Sequence, residues 1–277
     1  MNKLFVIGNP IKHSKSPIIH NYWIKKYSLH ATYHQKQLEI SDLPNMIEDI
    51  KNGSIKGFNV TVPFKKEILK FVDVIDYTAK DSMAVNTVFV KNGKIIGANT
   101  DGIGFVVSLK KDLKFRLAKN SNILCLGAGG AAFGIISELI KLNPNLIQIS
   151  NRTESAAMEL KNHFSSCKST KFEIKPWGFQ PKTNIDLIIN TSSYGMKENE
   201  NVCLNLDLIS NKSFIYDIIY NPSKTGLLKL ADEKGINSSN GIYMLIRQAA
   251  ESFKRWFNIN INAQDIQDVK EILTKDD

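Results

Sequence analysis

The stretch "NILCLGAGGAAFGIISELIKL", Asn122 to Leu142, decides the fold. A run with strand character leads directly into the glycine turn "GAGGAA" (127–132), and that turn opens directly into a helical pattern. This is the G-x-G-x-x-A form of the dinucleotide fingerprint in the strand–turn–helix context that it needs. Gly127 makes the tight turn, and Gly129 lets backbone N–H groups approach a pyrophosphate resting on the helix N-terminus. Ala128, Gly130 and Ala131 complete the loop, and Ala132 allows helix to pack closely on strand. A purely structural glycine turn is the alternative; the flanking strand and helix favour nucleotide binding.

The end of the next strand selects the nucleotide. "NLIQISNRT" ends in Asn151, Arg152 and Thr153, with no carboxylate before Glu154. A site for NAD usually carries an acid here to accept from the ribose 2′-hydroxyl. Arg152 is one of only four arginines, with Arg116, Arg247 and Arg255, in a lysine-rich chain of net charge +9. A guanidinium flanked by amide and hydroxyl donors suits a 2′-phosphate, so NADP is the expected cofactor.

Outward from this unit, the strand-like runs "KFEIK", "IDLIIN" and "SFIYDII" alternate with helical patterns at 153–165 and 222–234. Such alternation implies right-handed βαβ units and a parallel sheet. The tail, "GIYMLIRQAAESFKRWF" then "DIQDVKEIL", is helical, with Ile266, Val269, Ile272 and Leu273 on one face. The first hundred residues form a separate α/β unit. "LFVIG", "TYHQKQL" and "GFNVTV" read as strands, and "NTVFVKNGKIIGANT" as a hairpin turning at Asn92–Gly93. A helix follows Pro17 with its apolar face at Ile18, Ile19, Tyr22 and Trp23, and "SDLPNMIEDIKNG" is a second helix, capped by Ser41 or Asp42. The expected fold class is α/β in two domains. An N-terminal α/β substrate domain (1–101) precedes a Rossmann-like dinucleotide-binding domain (102–240), and C-terminal helices (241–277) return to pack on the first.

The whole chain narrows the function classes. Its basic balance is compatible with anionic small molecules or nucleic acid, yet no basic block or interleaved aromatic stripe supports the second. Cys125, Cys167 and Cys203 are far apart and in no metal-ligand spacing, which reads as reduced thiols and no metal. The first apolar run is too short for a signal peptide, and no run reaches the ~20 residues of a membrane span. A soluble cytoplasmic protein is expected, with neither nucleic acid nor membrane as partner.

The polar residues of the first domain are the guide to substrate. "HSKSP" places Ser14 and Ser16 on one side of an extended segment, where two hydroxyls could hold a carboxylate, although a helix cap explains either serine alone. Asn59 and Thr61 share a strand face with Lys65 at the following turn, and Asn86 and Asp101 stand at the two ends of the hairpin.

With these motifs together, the chain resembles the NADP-dependent shikimate dehydrogenase family over essentially its whole length. The resemblance is carried by "HSKSP", "NVTVPFKK", "AVNTV", "GANTDGIGF", "GAGGAA", "NRT", "YDIIYNP" and "GIYMLIRQA". It implies reversible reduction of 3-dehydroshikimate to shikimate with NADPH, in the route to the aromatic amino acids, with Lys65 and Asp101 as the catalytic pair. The substrate carboxylate is implied near Ser14, Ser16 and the Tyr220 hydroxyl, and the ring hydroxyls near Thr61, Asn86, Lys65, Asp101 and Gln248, with Asn59 a weaker member. Ile218, Gly241 and Met244 are implied to flank the cofactor. A lysine with its ordinary pKa of about 10.4 is a proton donor at neutral pH, and a neighbouring carboxylate favours the ammonium.

Three departures from the family stand out. Ala156 takes the place of a frequent second arginine, Met83 that of a common glycine before "AVNT", where it could crowd the Asn86 loop, and Tyr243 that of a small residue. The alternatives are a quinate or quinate/shikimate dehydrogenase using NAD, which the Ser-x-Ser pair and the missing acid disfavour, and a non-catalytic ligand-binding relative, which would lack Lys65 or Asp101. The assembly is expected to be a monomer or a homodimer.

Overall fold

Apolar runs punctuated by turn residues build two six-stranded sheets in the computed structural model of this chain, which describes residues 1–181, 184–197, 200, 202 and 204–275. Cys203 lies outside the described residues. The chain divides into two compact units, Met1–Phe105 with Leu245–Asp277, and Val106–Met244.

The first unit carries β1 (Asn2–Gly8), α1 (Ser16–Lys26), β2 (Ala31–Gln37), α2 (Leu43–Lys51), β3 (Gly57–Val60), β4 (Val74–Ile75), α3 (Tyr77–Ser82), β5 (Thr87–Lys91), β6 (Lys94–Ala98) and the start of α4 (Asp101–Val107). Its strands run in the order β2-β1-β3-β5-β6-β4. β1 pairs in parallel with β2 and β3, whereas β5 is antiparallel to β3 and β6. The β5–β6 hairpin turns at Asn92 and Gly93 with φ of 51° and 71°, the double positive φ for which Asn-Gly is selected.

Three local expectations are corrected. The buried face of α1 is Ile19, His20, Trp23 and Ile24, with Ile18 48% exposed, because a histidine rather than Ile18 enters the core. α2 is capped through a preceding 3₁₀ turn, where Glu39 N–H donates to Asp42 Oδ2 at 2.9 Å, so neither Ser41 nor Asp42 caps it alone. β3 stops at Val60, short of the expected "TV". Thr61 keeps one ladder-like bond, its N–H to Ile7 O at 2.9 Å, before the cis Val62–Pro63 peptide turns the chain. Met83 ends α3 with φ 50°, so the feature of this position is a left-handed backbone, which a glycine adopts more readily.

The second unit holds β7 (Asn122–Leu126), α5 (Gly130–Leu139), β8 (Leu146–Ser150), α6 (Glu154–His163), β9 (Lys171–Lys175), β10 (Leu187–Asn190), β11 (Phe214–Asp217), α7 (Gly226–Glu233) and β12 (Asn237–Ser239). All its pairings are parallel, in the order β12-β11-β10-β7-β8-β9. This is the doubly wound Rossmann order, and it reverses direction between β7 and β10. β12, "NSS", is a polar edge strand that carries no apolar signal in the sequence.

After the second unit come α8 (Ile242–Phe257), which begins three residues before the division, and α9 (Ala263–Leu273). α9 buries Ile266, Val269 and Leu273, with Ile272 half-buried. Within the first unit it is fastened to α1, where Tyr22 Oη donates to Asp268 Oδ2 at 2.7 Å and Lys26 pairs with Asp265 and Asp268 at 2.5 and 2.8 Å. α4 and α8 approach so closely that a Cβ on Gly104 would lie 2.7 Å from Gln248 N and 2.8 Å from Gln248 Cβ. Gly104→Ala is expected to destabilise the protein by about 1–3 kcal/mol through this overpacking. A urea midpoint unchanged from the parent would show that the two helices do not touch at Gly104.

Candidate active site

In the first unit the turn after β3 delivers Lys65, and the start of α4 delivers Asp101. Val85 N–H donates to Lys65 O at 2.8 Å, and Asp101 N–H to Asn99 Oδ1 at 2.9 Å, so both backbones are tied down next to their charged groups. Lys65 Nζ lies 2.6 Å from Asp101 Oδ2. The other carboxylate oxygen, Oδ1, accepts from Asn86 Nδ2 at 2.7 Å. The aspartate side chain is only 9% exposed, whereas the lysine retains 21%. The result is a buried anion that fixes a partly accessible ammonium, an arrangement suited to giving a proton to, or taking one from, a small molecule.

Asn86 is itself held from several sides. Its Oδ1 accepts from Thr100 N–H at 2.9 Å and Thr87 Oγ1 at 2.8 Å, and its Nδ2 reaches Gln248 Oε1 only at 3.4 Å. Beneath it, Asn59 Nδ2 donates to Asn86 O, Thr87 Oγ1 and Ser252 Oγ at 2.9 to 3.1 Å, while Asn59 Oδ1 accepts from Tyr33 Oη at 2.7 Å. Asn59 is therefore a buried brace for the Asn86 loop. Tyr33, Thr87, Thr100 and Ser252 were not singled out from the sequence. Ser252 sits four residues after Gln248 on α8, a helical spacing that could have revealed it.

Among the described residues, Ser14, Ser16 and Thr61 make no hydrogen bond to this network. Ser14 and Ser16 lie in the turn that starts α1, not in an extended segment, and Ser14 Oγ accepts from Ser16 N–H at 3.3 Å. Ser14 borders an open hollow of about 540 Å³ that neither Lys65 nor Asp101 lines. Thr61 stands between β3 and the cis peptide. Tyr220, in the second unit, is half-buried, and burial raises its phenol pKa.

In the second unit, Gly127 follows β7 with φ 112°, and a Cβ there would meet Thr191 Oγ1 at 2.7 Å. Gly129 and Gly130, at the start of α5, face open space, with nothing within 4 Å of a Cβ at either position. A pocket of about 220 Å³ opens here, lined by Gly127 to Gly129, Asn151, Arg152, Trp177 and Thr191 to Tyr194. It sits at the carboxyl ends of β7 and β10, the switch point where such sheets bind nucleotides. The residues present fit a dinucleotide: free space over a helix N-terminus for a pyrophosphate, and an exposed guanidinium for a further phosphate. Asn151 Nδ2 donates to Thr153 O at 2.8 Å, shaping the loop around Arg152. Ala128, Ala131 and Thr153 flank the same turn and loop. Ile218 N–H donates to Asn190 O at 3.0 Å, Gly241 packs against the Ile218 carbonyl, and Met244 is buried at the start of α8. Behind the pocket, burial raises the carboxyl pKa of Asp217, opposed by bonds from Thr225, Ile219 N–H and Asn190. Cys125 is buried and its thiol is pushed up to about 12, which leaves it unreactive. Among the described residues, no cluster of three potential ligands could hold a metal, and no helix is long and apolar enough to cross a membrane.

Known proteins share this architecture. A family model described as the shikimate dehydrogenase substrate binding domain matches residues 6–88. A shikimate dehydrogenase (NADP(+)) of Pelagibacter ubique is 45% identical over 260 residues, which cover 94% of this chain and 95% of that protein. The crystal structure of shikimate dehydrogenase from Aquifex aeolicus is 36% identical, with a TM-score of 0.85 and 97% of each chain covered. A shikimate dehydrogenase solved in complex with NADP+ is 33% identical, with a TM-score of 0.89, covering 99% of this chain and 96% of that one.

Proposed function

This chain belongs to the shikimate dehydrogenase family, and from that premise we propose how its residues divide the reaction. It is an NADP-dependent oxidoreductase acting on a CH–OH group, interconverting 3-dehydroshikimate and shikimate on the route to the aromatic amino acids. NADPH, when bound, supplies the hydride. The chain's own part is to hold the substrate and move the proton.

Lys65 gives its ammonium proton to the ketone oxygen during reduction, and in the reverse direction the neutral amine takes the hydroxyl proton. Asp101 keeps Nζ in place, and Asn86 keeps Asp101 in place. The observation that carries this reading is the 2.6 Å Lys65–Asp101 pair, whose second carboxylate oxygen is already satisfied by Asn86. With Oδ1 engaged there, the carboxylate is oriented by the fold rather than by the substrate. Thr61 and Gln248 complete the contacts to the ring hydroxyls. Ser14 and Ser16, with the Tyr220 hydroxyl, hold the substrate carboxylate. Residues 127–131 receive the pyrophosphate, Asn151 to Thr153 the 2′-phosphate, and Ile218, Gly241 and Met244 the nicotinamide end. A cytoplasmic location, supported by the free thiols of Cys125 and Cys167, and a monomeric or homodimeric state belong to the same proposal.

The reading is tested by following nicotinamide reduction with shikimate or quinate, and NADP+ or NAD+. Turnover is expected with shikimate and NADP+, and at least tenfold less with NAD+, since a lost charged contact is worth about 1.5–3 kcal/mol; quinate, with its extra hydroxyl on the carboxylate-bearing carbon, should turn over more slowly than shikimate. Equal rates with NAD+ would remove Arg152 from the phosphate site, and equal rates with quinate would assign the broader substrate range.

A further inference from the structure

We propose that Tyr194 determines cofactor specificity by seating the Arg152 guanidinium, an inference that rests on the NADP reading above. Arg152 is the only arginine available at the end of β8, because Ala156 occupies the position one helical turn on. A solitary arginine on an exposed loop loses rotamer freedom when it closes on a phosphate, which weakens binding. Here that freedom is already restricted. Arg152 Cζ lies over the Tyr194 ring, 5.4 Å from its centroid. A guanidinium held over an aromatic ring by a cation–π contact still has N–H groups to give to a phosphate.

The ring is a fixed platform. It meets Trp177 edge-on, with centroids 5.5 Å apart at 70°, and both rings pack against the core of the second unit. The main chain of Tyr194 is held at both ends: its N–H donates to Ser192 Oγ and its carbonyl accepts from Asn190 Nδ2, each at 3.1 Å. Asn190 is fully buried and also donates to Asp217 Oδ1 at 3.0 Å, which roots the loop in the sheet. Tyr194 and Arg152 line the same pocket as Gly127 to Gly129, so the seated charge stands beside the dinucleotide turn. Tyr194 thus does by preorganisation what a second cation would do by attraction.

Calorimetric titration of the full chain with NADP+ and with NAD+ tests this in the parent, Arg152→Ala, Tyr194→Ala and Tyr194→Phe. Tyr194→Ala is expected to weaken NADP+ about two- to five-fold, the worth of a partly exposed cation–π contact, with NAD+ unchanged. Tyr194→Phe should bind NADP+ as the parent does. Equal weakening of both nucleotides, or no change, would overturn the inference wherever the parent prefers NADP+ and Arg152→Ala does not. A parent with no preference would bring down the NADP reading itself, and the role of Tyr194 with it.

Discussion

Lys65→Ala is expected to lower kcat for shikimate oxidation by about 10²–10⁴-fold, the usual worth of a positioned acid–base group, and to leave KM within a few-fold. The split follows from the geometry. Lys65 is held by Asp101, whose other oxygen belongs to Asn86, so the substrate contacts proposed for Thr61 and Gln248 do not depend on it. Alanine also leaves a mostly buried carboxylate without its cation, and that carries a stability cost. Lys65→Gln separates the two effects, because its amide can still donate to Asp101 but cannot carry the proton. It should fold like the parent and remain slow. A variant whose kcat persists while KM rises would make Lys65 a binding residue.

Acid exposes the second large effect, at His20. This histidine of α1 is fully buried among Tyr33, Trp23, Phe253 and Trp256, stacked on the Tyr33 ring at 4.2 Å. Neither ring nitrogen has a hydrogen-bond partner of good geometry. Burial pulls its pKa down to about 3, with Asn59 opposing weakly. The folded state therefore holds the neutral ring, while the unfolded chain takes up a proton below about 6.5. Stability is fully present above that value and falls as pH drops from it towards 3, by about 1.4 kcal/mol per pH unit. Between pH 7 and pH 5, above the range where ordinary carboxylates titrate, the loss from His20 alone is about 2 kcal/mol. His20→Phe keeps an aromatic ring in the cage and removes the titration, so its urea midpoint should be flatter over that interval. A variant with the same slope as the parent would place the acid sensitivity elsewhere.

What was legible in the sequence was whatever local chemistry enforces. The turn at Gly127 needs a positive φ, the Asn92–Gly93 turn needs two, and the strands of the second unit, each followed by a crossover, pair in parallel. Lys65 and Asp101 were legible through family motifs; nothing in their spacing of 36 residues pairs them. The hidden part depends on register. Asn59 faces Thr87 only because β3 and β5 pair there, and Ser252 joins them only because Gly104 lets α8 come close. His20 reads as a polar residue on an amphipathic helix, yet four aromatic side chains, from α1, β2 and α8, enclose it. Tyr194 and Trp177 are distant in sequence and meet at the switch point through the order of the strands. β12 has no apolar pattern to read, since it is an edge strand of "NSS".

The central claim is that Lys65 carries the proton, and the pH dependence of kcat for shikimate oxidation tests it most directly. With Lys65 as the base that takes the hydroxyl proton, the parent's rate should rise as pH rises. Lys65→Gln should show no such rise. A parent profile that is flat across the same range, with chemistry rate-limiting, would contradict the account.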